Sequence, residues 1–219
     1  MSEIIDVSKR ISESGVVPVI QIDDSSKAVA LADALLEAEL PLVEITLRTE
    51  SALESLRQIS LRRPEMLAGA GTVLSETEAI RAIDSGSKFL VSPGLDLELL
   101  KLSKAKSMVF IPGFMTPSEL AAALKHGCRM AKFYPASAAG GPSALSSIIA
   151  PFLHRNPDIM PTGGINLRNM KSWLETPRVL AVGGTWLATR ADIAGGNWAE
   201  ITRKARDAVA LARETLDRS

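Results

Sequence analysis

Apolar and polar positions alternate in blocks along this chain. Short runs rich in apolar and β-branched residues recur at 16–20, 42–47, 67–73, 89–93, 108–112, 129–135, 159–162 and 179–182. Runs of this length read as strands. Between them lie stretches of helical periodicity, opened by cap or turn residues. Ser25 and Ser26 precede 27–38, Thr49 precedes 50–60, and Ser75 precedes 76–85, with Glu78 placed for a capping box. Thr116 precedes 117–125, with Pro117 at the first helical position and Glu119 at the third, and Asn166 precedes 167–174. An amphipathic helix over 2–14 opens the chain and another over 198–216 closes it.

Strands that alternate with helices pair in parallel, because each crossover needs a helix. Eight of them predict a (β/α)8 TIM barrel, with helix 2–14 capping its bottom and helix 198–216 completing the outer ring. An open flavodoxin-like sheet is the alternative and requires some of the runs to be loops. No Pro/Ser/Gly linker or low-complexity segment interrupts the pattern, which predicts one domain over residues 1–219.

Composition narrows the class. The chain has 219 residues, is 46% hydrophobic, and balances 25 Lys and Arg against 25 Asp and Glu. That is an ordinary globular core with no net charge, which argues against a nucleic-acid scaffold or a polybasic membrane binder. The opening residues are charged and lack the apolar stretch of a signal peptide, and no run approaches the roughly 18 apolar residues of a membrane helix. The lone Cys128 allows no internal disulfide and fits a reducing cytoplasm. His126 and His154 lie far apart without carboxylate spacing, so no protein-bound metal is expected.

Catalytic groups of a barrel stand at the C-terminal ends of its strands. Lys132, inside Met130-Ala131-Lys132-Phe133-Tyr134-Pro135, is the most informative residue there. An ammonium among apolar groups loses hydration, and the neutral amine that burial favours attacks carbonyl carbon. Taken alone, a strand lysine more often reaches back to water. Strand two, however, puts Glu44, Thr46 and Arg48 on one face, and a carboxylate in Val43-Glu44-Ile45 is as costly as the lysine. The two residues are expected to meet, either as a structural ion pair or as nucleophile and general acid/base. Gly163-Gly164 and Gly183-Gly184-Thr185 follow strands seven and eight, where barrels hold phosphate. Arg48 suits a carboxylate, with Thr72 as a second donor. A substrate with carboxylate, ketone and phosphate satisfies all these groups.

The segments Val43-Glu44-Ile45-Thr46-Leu47-Arg48-Thr49-Glu50, Gly69-Ala70-Gly71-Thr72-Val73-Leu74, Ser92-Pro93-Gly94, Ile111-Pro112-Gly113, Lys132-Phe133-Tyr134-Pro135-Ala136 and Pro161-Thr162-Gly163-Gly164-Ile165 resemble the 2-keto-3-deoxy-6-phosphogluconate aldolase family, which includes 4-hydroxy-2-oxoglutarate aldolases. The resemblance runs in order over 16–187. It implies a class I, Schiff-base aldolase of the Entner–Doudoroff pathway, homotrimeric and without a metal or organic cofactor, acting on a phosphorylated keto acid and on pyruvate. It makes Lys132 the Schiff-base lysine and Glu44 the general acid/base. Arg48 and Thr72 become the pyruvate-carboxylate contacts, Gly163, Gly164, Gly184 and Thr185 the phosphate site, and Thr162 and Pro93 pocket walls. Tyr134 stands where phenylalanine often stacks on substrate, Thr185 where serine is common, and Ser137 where glutamate is common. Gly141-Pro142 resembles the related 6-phosphogalactonate aldolases. These departures bear on stereochemistry at C4, not on the reaction type. Beside this stand an isomerase or epimerase barrel that uses the glycine loops without a covalent adduct, and a sugar-phosphate sensor.

Overall fold

A computed structural model describes residues 2–217. In chain order its elements are α1 (Ser2–Ser14), β1 (Val16–Ile20), α2 (Ala28–Glu37), β2 (Leu42–Thr46), α3 (Ala52–Arg62), β3 (Leu67–Gly71), α4 (Glu76–Asp84), β4 (Phe89–Val91), α5 (Leu97–Ala105), β5 (Val109–Ile111), β6 (Gly113–Phe114), α6 (Pro117–Lys125), β7 (Met130–Phe133), α7 (Gly141–Ile149), β8 (Asp158–Ile159), α8 (Met170–Leu174), β9 (Val182–Gly184), α9 (Arg190–Gly195) and α10 (Trp198–Leu216).

The strands pair in parallel throughout, in a curled six-stranded sheet of order β5-β4-β3-β2-β1-β9 and a three-stranded sheet β6-β7-β8. The expected eight-strand ring is therefore not one uninterrupted sheet. Pro112 is one reason. It has no N–H for the ladder, so the strand breaks there: β5 ends before it and β6, beyond the fifth run, begins after it. Its carbonyl still accepts from the Lys132 N–H at 2.8 Å. At the other edge the sheets meet through isolated parallel bridges, Ile159 with Val179 and Thr162 with Gly183. The eighth strand accordingly lies at 182–184, later than the run at 179–182 suggests.

β1, β2 and β3 are buried along their whole length. Helices on one face and packed side chains on the other explain why these strands read as continuous apolar runs. Phe114, Phe133 and Trp173 form a contact series with ring centroids 5.5 and 6.4 Å apart, each ring contributing about 1.5–3 kcal/mol by burial. At the N-terminal ends of the strands, α1 buries Val7 and Ile11. There the Arg10 guanidinium donates to the carbonyls of Pro41 and Glu65, just before β2 and β3, at 3.1 and 2.7 Å. This is the bottom cap that the pattern predicts. α10 packs along α2, where Thr202 Oγ1 donates to the Ala34 carbonyl at 2.9 Å. Among the described residues no helix is long and apolar enough to cross a membrane.

Local chemistry sets the helix starts. Thr116 and Glu119 form the reciprocal capping box at α6, with Pro117 in the first turn. Ser75 caps α4 by accepting from the Glu78 N–H, but the Glu78 carboxylate takes the Leu74 N–H instead of closing the box. α8 is shorter than expected. The side chains of Asn166 and Asn169 bind nearby backbone N–H groups, and Asn169 also donates to the Gly164 carbonyl. These bonds hold 166–169 as a turn, and the helix begins at Met170.

Candidate active site

β2 and β7 belong to different sheets, and each delivers one charged residue to the interior. Glu44 is fully buried and Lys132 is 5% exposed. Lys132 Nζ lies 3.3 Å from Glu44 Oε1. That is long for a charge-assisted hydrogen bond, which is usually about 2.7–2.9 Å. Glu44 Oε2 is buried without a hydrogen-bond partner. A pair kept only for stability satisfies its lone pairs, since desolvating two charges is costly and repaid only by complete hydrogen bonding. No protein group completes this one, and both residues face a cavity. The Tyr134 ring also meets the ammonium, 5.6 Å from Nζ to centroid, within the range of a cation–π contact.

The cavity has a volume of about 260 Å³. Its walls include Glu44, Arg48, Thr72, Pro93, Lys132, Tyr134, Thr162, Gly163, Gly164 and Thr185. These are all the sequence candidates except Gly184. Gly183 lines the cavity instead. Alternation along β9 separates the two glycines: a Cβ on Gly183 would meet Thr162 Oγ1 at 2.1 Å, while one on Gly184 would meet the Trp186 ring at 1.8 Å. Counting that parity from β9 finds Gly183. Val19 and Ile165 also line the cavity. They carry no chemical signal, and sequence reasoning passes them over.

Several backbone features aim groups into this space. Thr72 has φ +57°, an outlier for a β-branched residue. Such strain costs about 1–3 kcal/mol and clusters at functional sites. Gly163 and Gly164 have φ +105° and +74°, a turn that a side chain would oppose. Thr162 Oγ1 is buried and unpartnered. Arg48 is exposed at the mouth and its side chain makes no hydrogen bond or ion pair among the described residues, leaving its fork free for an anion.

Gly71 makes room for the carboxylate, since a Cβ there would lie 2.0 Å from Glu44 Oε1. Gly71→Ala is therefore expected to displace Glu44 from Lys132, lowering turnover about tenfold and stability by about 1–3 kcal/mol, the usual overpacking cost. Steady-state kinetics with thermal unfolding checks both, and unchanged turnover would mean that the carboxylate's position is not critical.

Cys128 lies outside the cavity lining. Burial pushes its thiol up to about 12, and Sγ donates to the Met130 carbonyl at 2.9 Å. It is an inert packing residue, not a nucleophile. Among the described residues no three His, Cys, Asp or Glu side chains converge as a metal centre.

The family model described as "Aldolase: KDPG and KHG aldolase" matches residues 7–204. A 2-dehydro-3-deoxy-phosphogluconate aldolase of Pseudomonas aeruginosa is 40% identical over 199 residues, covering 90% of this chain and 89% of that protein. The crystal structure of KDPG aldolase from Legionella pneumophila, with pyruvate captured as a covalent carbinolamine intermediate, has a TM-score of 0.86 at 36% identity and covers 90% of this chain and 95% of that one. The 2-keto-3-deoxy-6-phosphogluconate aldolase of Zymomonas mobilis with 3-phosphoglycerate gives a TM-score of 0.87 at 35% identity, covering 95% and 97%.

Proposed function

The chain belongs to the KDPG and KHG aldolase family, and we propose that it is a class I aldolase that cleaves 2-dehydro-3-deoxy-6-phosphogluconate to pyruvate and glyceraldehyde 3-phosphate through a Schiff base on Lys132. The observation that carries this reading is the buried Lys132–Glu44 contact at 3.3 Å, with its second carboxylate oxygen unpartnered.

Proton transfer from Nζ to Glu44 frees the amine lone pair, which attacks the C2 ketone to give a carbinolamine. Glu44 returns a proton to the C2 hydroxyl, which leaves as water, and an iminium remains. Glu44, relayed by a water, then removes the C4 hydroxyl proton. The C3–C4 bond breaks, its electrons pass to the iminium nitrogen, and glyceraldehyde 3-phosphate departs. The enamine takes a proton at C3, and water releases pyruvate from Lys132. Arg48 and Thr72 hold the substrate carboxylate, Pro93, Tyr134 and Thr162 wall the chain, and Gly163, Gly164 and Thr185 receive the phosphate. In this reading the two sheets act as one (β/α)8 barrel and one domain, and the chain assembles as a cytoplasmic homotrimer. The Thr162–Gly183 bridge and the Pro112 carbonyl bond support the closure.

Borohydride reduction in the presence of pyruvate tests the chemistry. Peptide mass spectrometry is expected to find the reduced adduct on Lys132, and its absence from the folded protein would overturn the Schiff base. Competition by inorganic phosphate separates this substrate from 4-hydroxy-2-oxoglutarate, which carries no phosphate.

A further inference from the structure

The cavity that holds Lys132 contains one other cation, Arg48 at its mouth. In the reading above Arg48 holds the substrate carboxylate, so a phosphate at the glycine loops meets N–H and hydroxyl donors but no positive charge. A second cavity of about 390 Å³ adjoins the first and shares Val19, Thr46, Arg48 and Thr185 with it. Its remaining polar wall is Gln21, Thr189 and Arg190. Thr185, assigned above to the phosphate, therefore faces both spaces.

Two features place Arg190. It is the first residue of α9, whose start is set by the reciprocal capping box of Thr189 and Asp192. Its Nε donates to Asp23 Oδ2 at 2.7 Å, joining the loop after β1 to the loop after β9. That contact uses only Nε, and the two terminal amino groups make no bond among the described residues. A guanidinium braced through Nε presents its other N–H groups as a pair, the arrangement that matches two phosphate oxygens.

We propose that Arg190, oriented by Asp23, determines specificity for the phosphate end of the substrate. The proposal rests on the aldolase reading for the identity of that substrate. A role as a loop tie alone predicts something different: removing it lowers stability and affects all substrates alike.

Arg190→Ala and Arg190→Lys separate the two. With 2-dehydro-3-deoxy-6-phosphogluconate, Arg190→Ala is expected to raise KM about tenfold at nearly unchanged kcat, the scale of one exposed charged hydrogen-bonding group. Arg190→Lys, which keeps a charge but not the fork, falls between. Cleavage of the unphosphorylated 2-dehydro-3-deoxygluconate is expected to change less than twofold, about the size of an ordinary surface substitution. Calorimetric titration of the unliganded protein with inorganic phosphate is expected to give about a tenfold weaker Kd in Arg190→Ala. Equal losses on both substrates, or phosphate binding as tight as in the wild type, would overturn the proposal. Phosphate titration needs no turnover, so a wild-type protein that failed to trap pyruvate would end the aldolase reading while still reporting on Arg190.

Discussion

Lys132→Ala is expected to lower aldol cleavage on the order of 10⁵-fold or more, as removal of a covalent nucleophile does, and to abolish the borohydride-trapped pyruvate adduct. No other lysine lines the cavity, so nothing else on its walls can form the imine. The substitution also leaves the fully buried Glu44 carboxylate without its cation. Breaking a buried pair from one side costs about 3–5 kcal/mol, so lost activity alone does not separate chemistry from unfolding. The double variant Lys132→Ala/Glu44→Gln removes the orphaned charge. It is expected to recover most of the lost thermal stability and none of the activity. Turnover of a folded Lys132→Ala within tenfold of wild type would show that the lysine is structural.

Glu44→Gln addresses the other partner. The amide keeps the shape of the side chain but cannot carry a proton between carbinolamine, C4 hydroxyl and enamine. A fall of roughly 10²–10⁴-fold in kcat is expected, the usual contribution of a general acid/base. Pyruvate is still expected to be trapped, more slowly, because the amine remains. Deuterium exchange at the pyruvate methyl group reads enamine formation without the aldehyde and is expected to slow in parallel. If kcat falls while exchange keeps its wild-type rate, Glu44 acts only in carbon–carbon cleavage. Normal turnover would remove it from the mechanism.

These two residues were the most legible part of the chain because they break the pattern around them. A charge inside a strand-length apolar run has few explanations, and two such charges imply each other. The strand positions were legible for a related reason: strands buried on both faces appear as uninterrupted apolar blocks. Elements held by backbone conformation were less visible. α7 is preceded by Gly140 in the left-handed region and has no side-chain cap, so nothing polar marks its start. α9 is six residues long and its capping box uses Asp192 where the usual signature has Glu or Gln. α5, capped by Asp96, carries a clear signal that the broad alternation of blocks obscures. The division at Pro112 could have been anticipated from the missing N–H, but not which sheet each half joins, since that depends on long-range pairing. Which of Gly183 and Gly184 lines the cavity turns on a parity of one, the same step that moves every side chain of a strand to its other face.

Glu44 and Lys132 stand 88 residues apart and on different sheets. The amine thus meets the carboxylate that the proposed mechanism makes its proton carrier only when the two sheets come together. A chain still being synthesised, or one opened along that seam, presents an ordinary solvated lysine with no carboxylate beside it to take its proton, slow to condense with the aldehydes and ketones of a metabolising cell. Dividing the reactive pair between separately paired sheets makes the native state its own safeguard: carbonyl reactivity arrives together with the walls that select which carbonyl can enter.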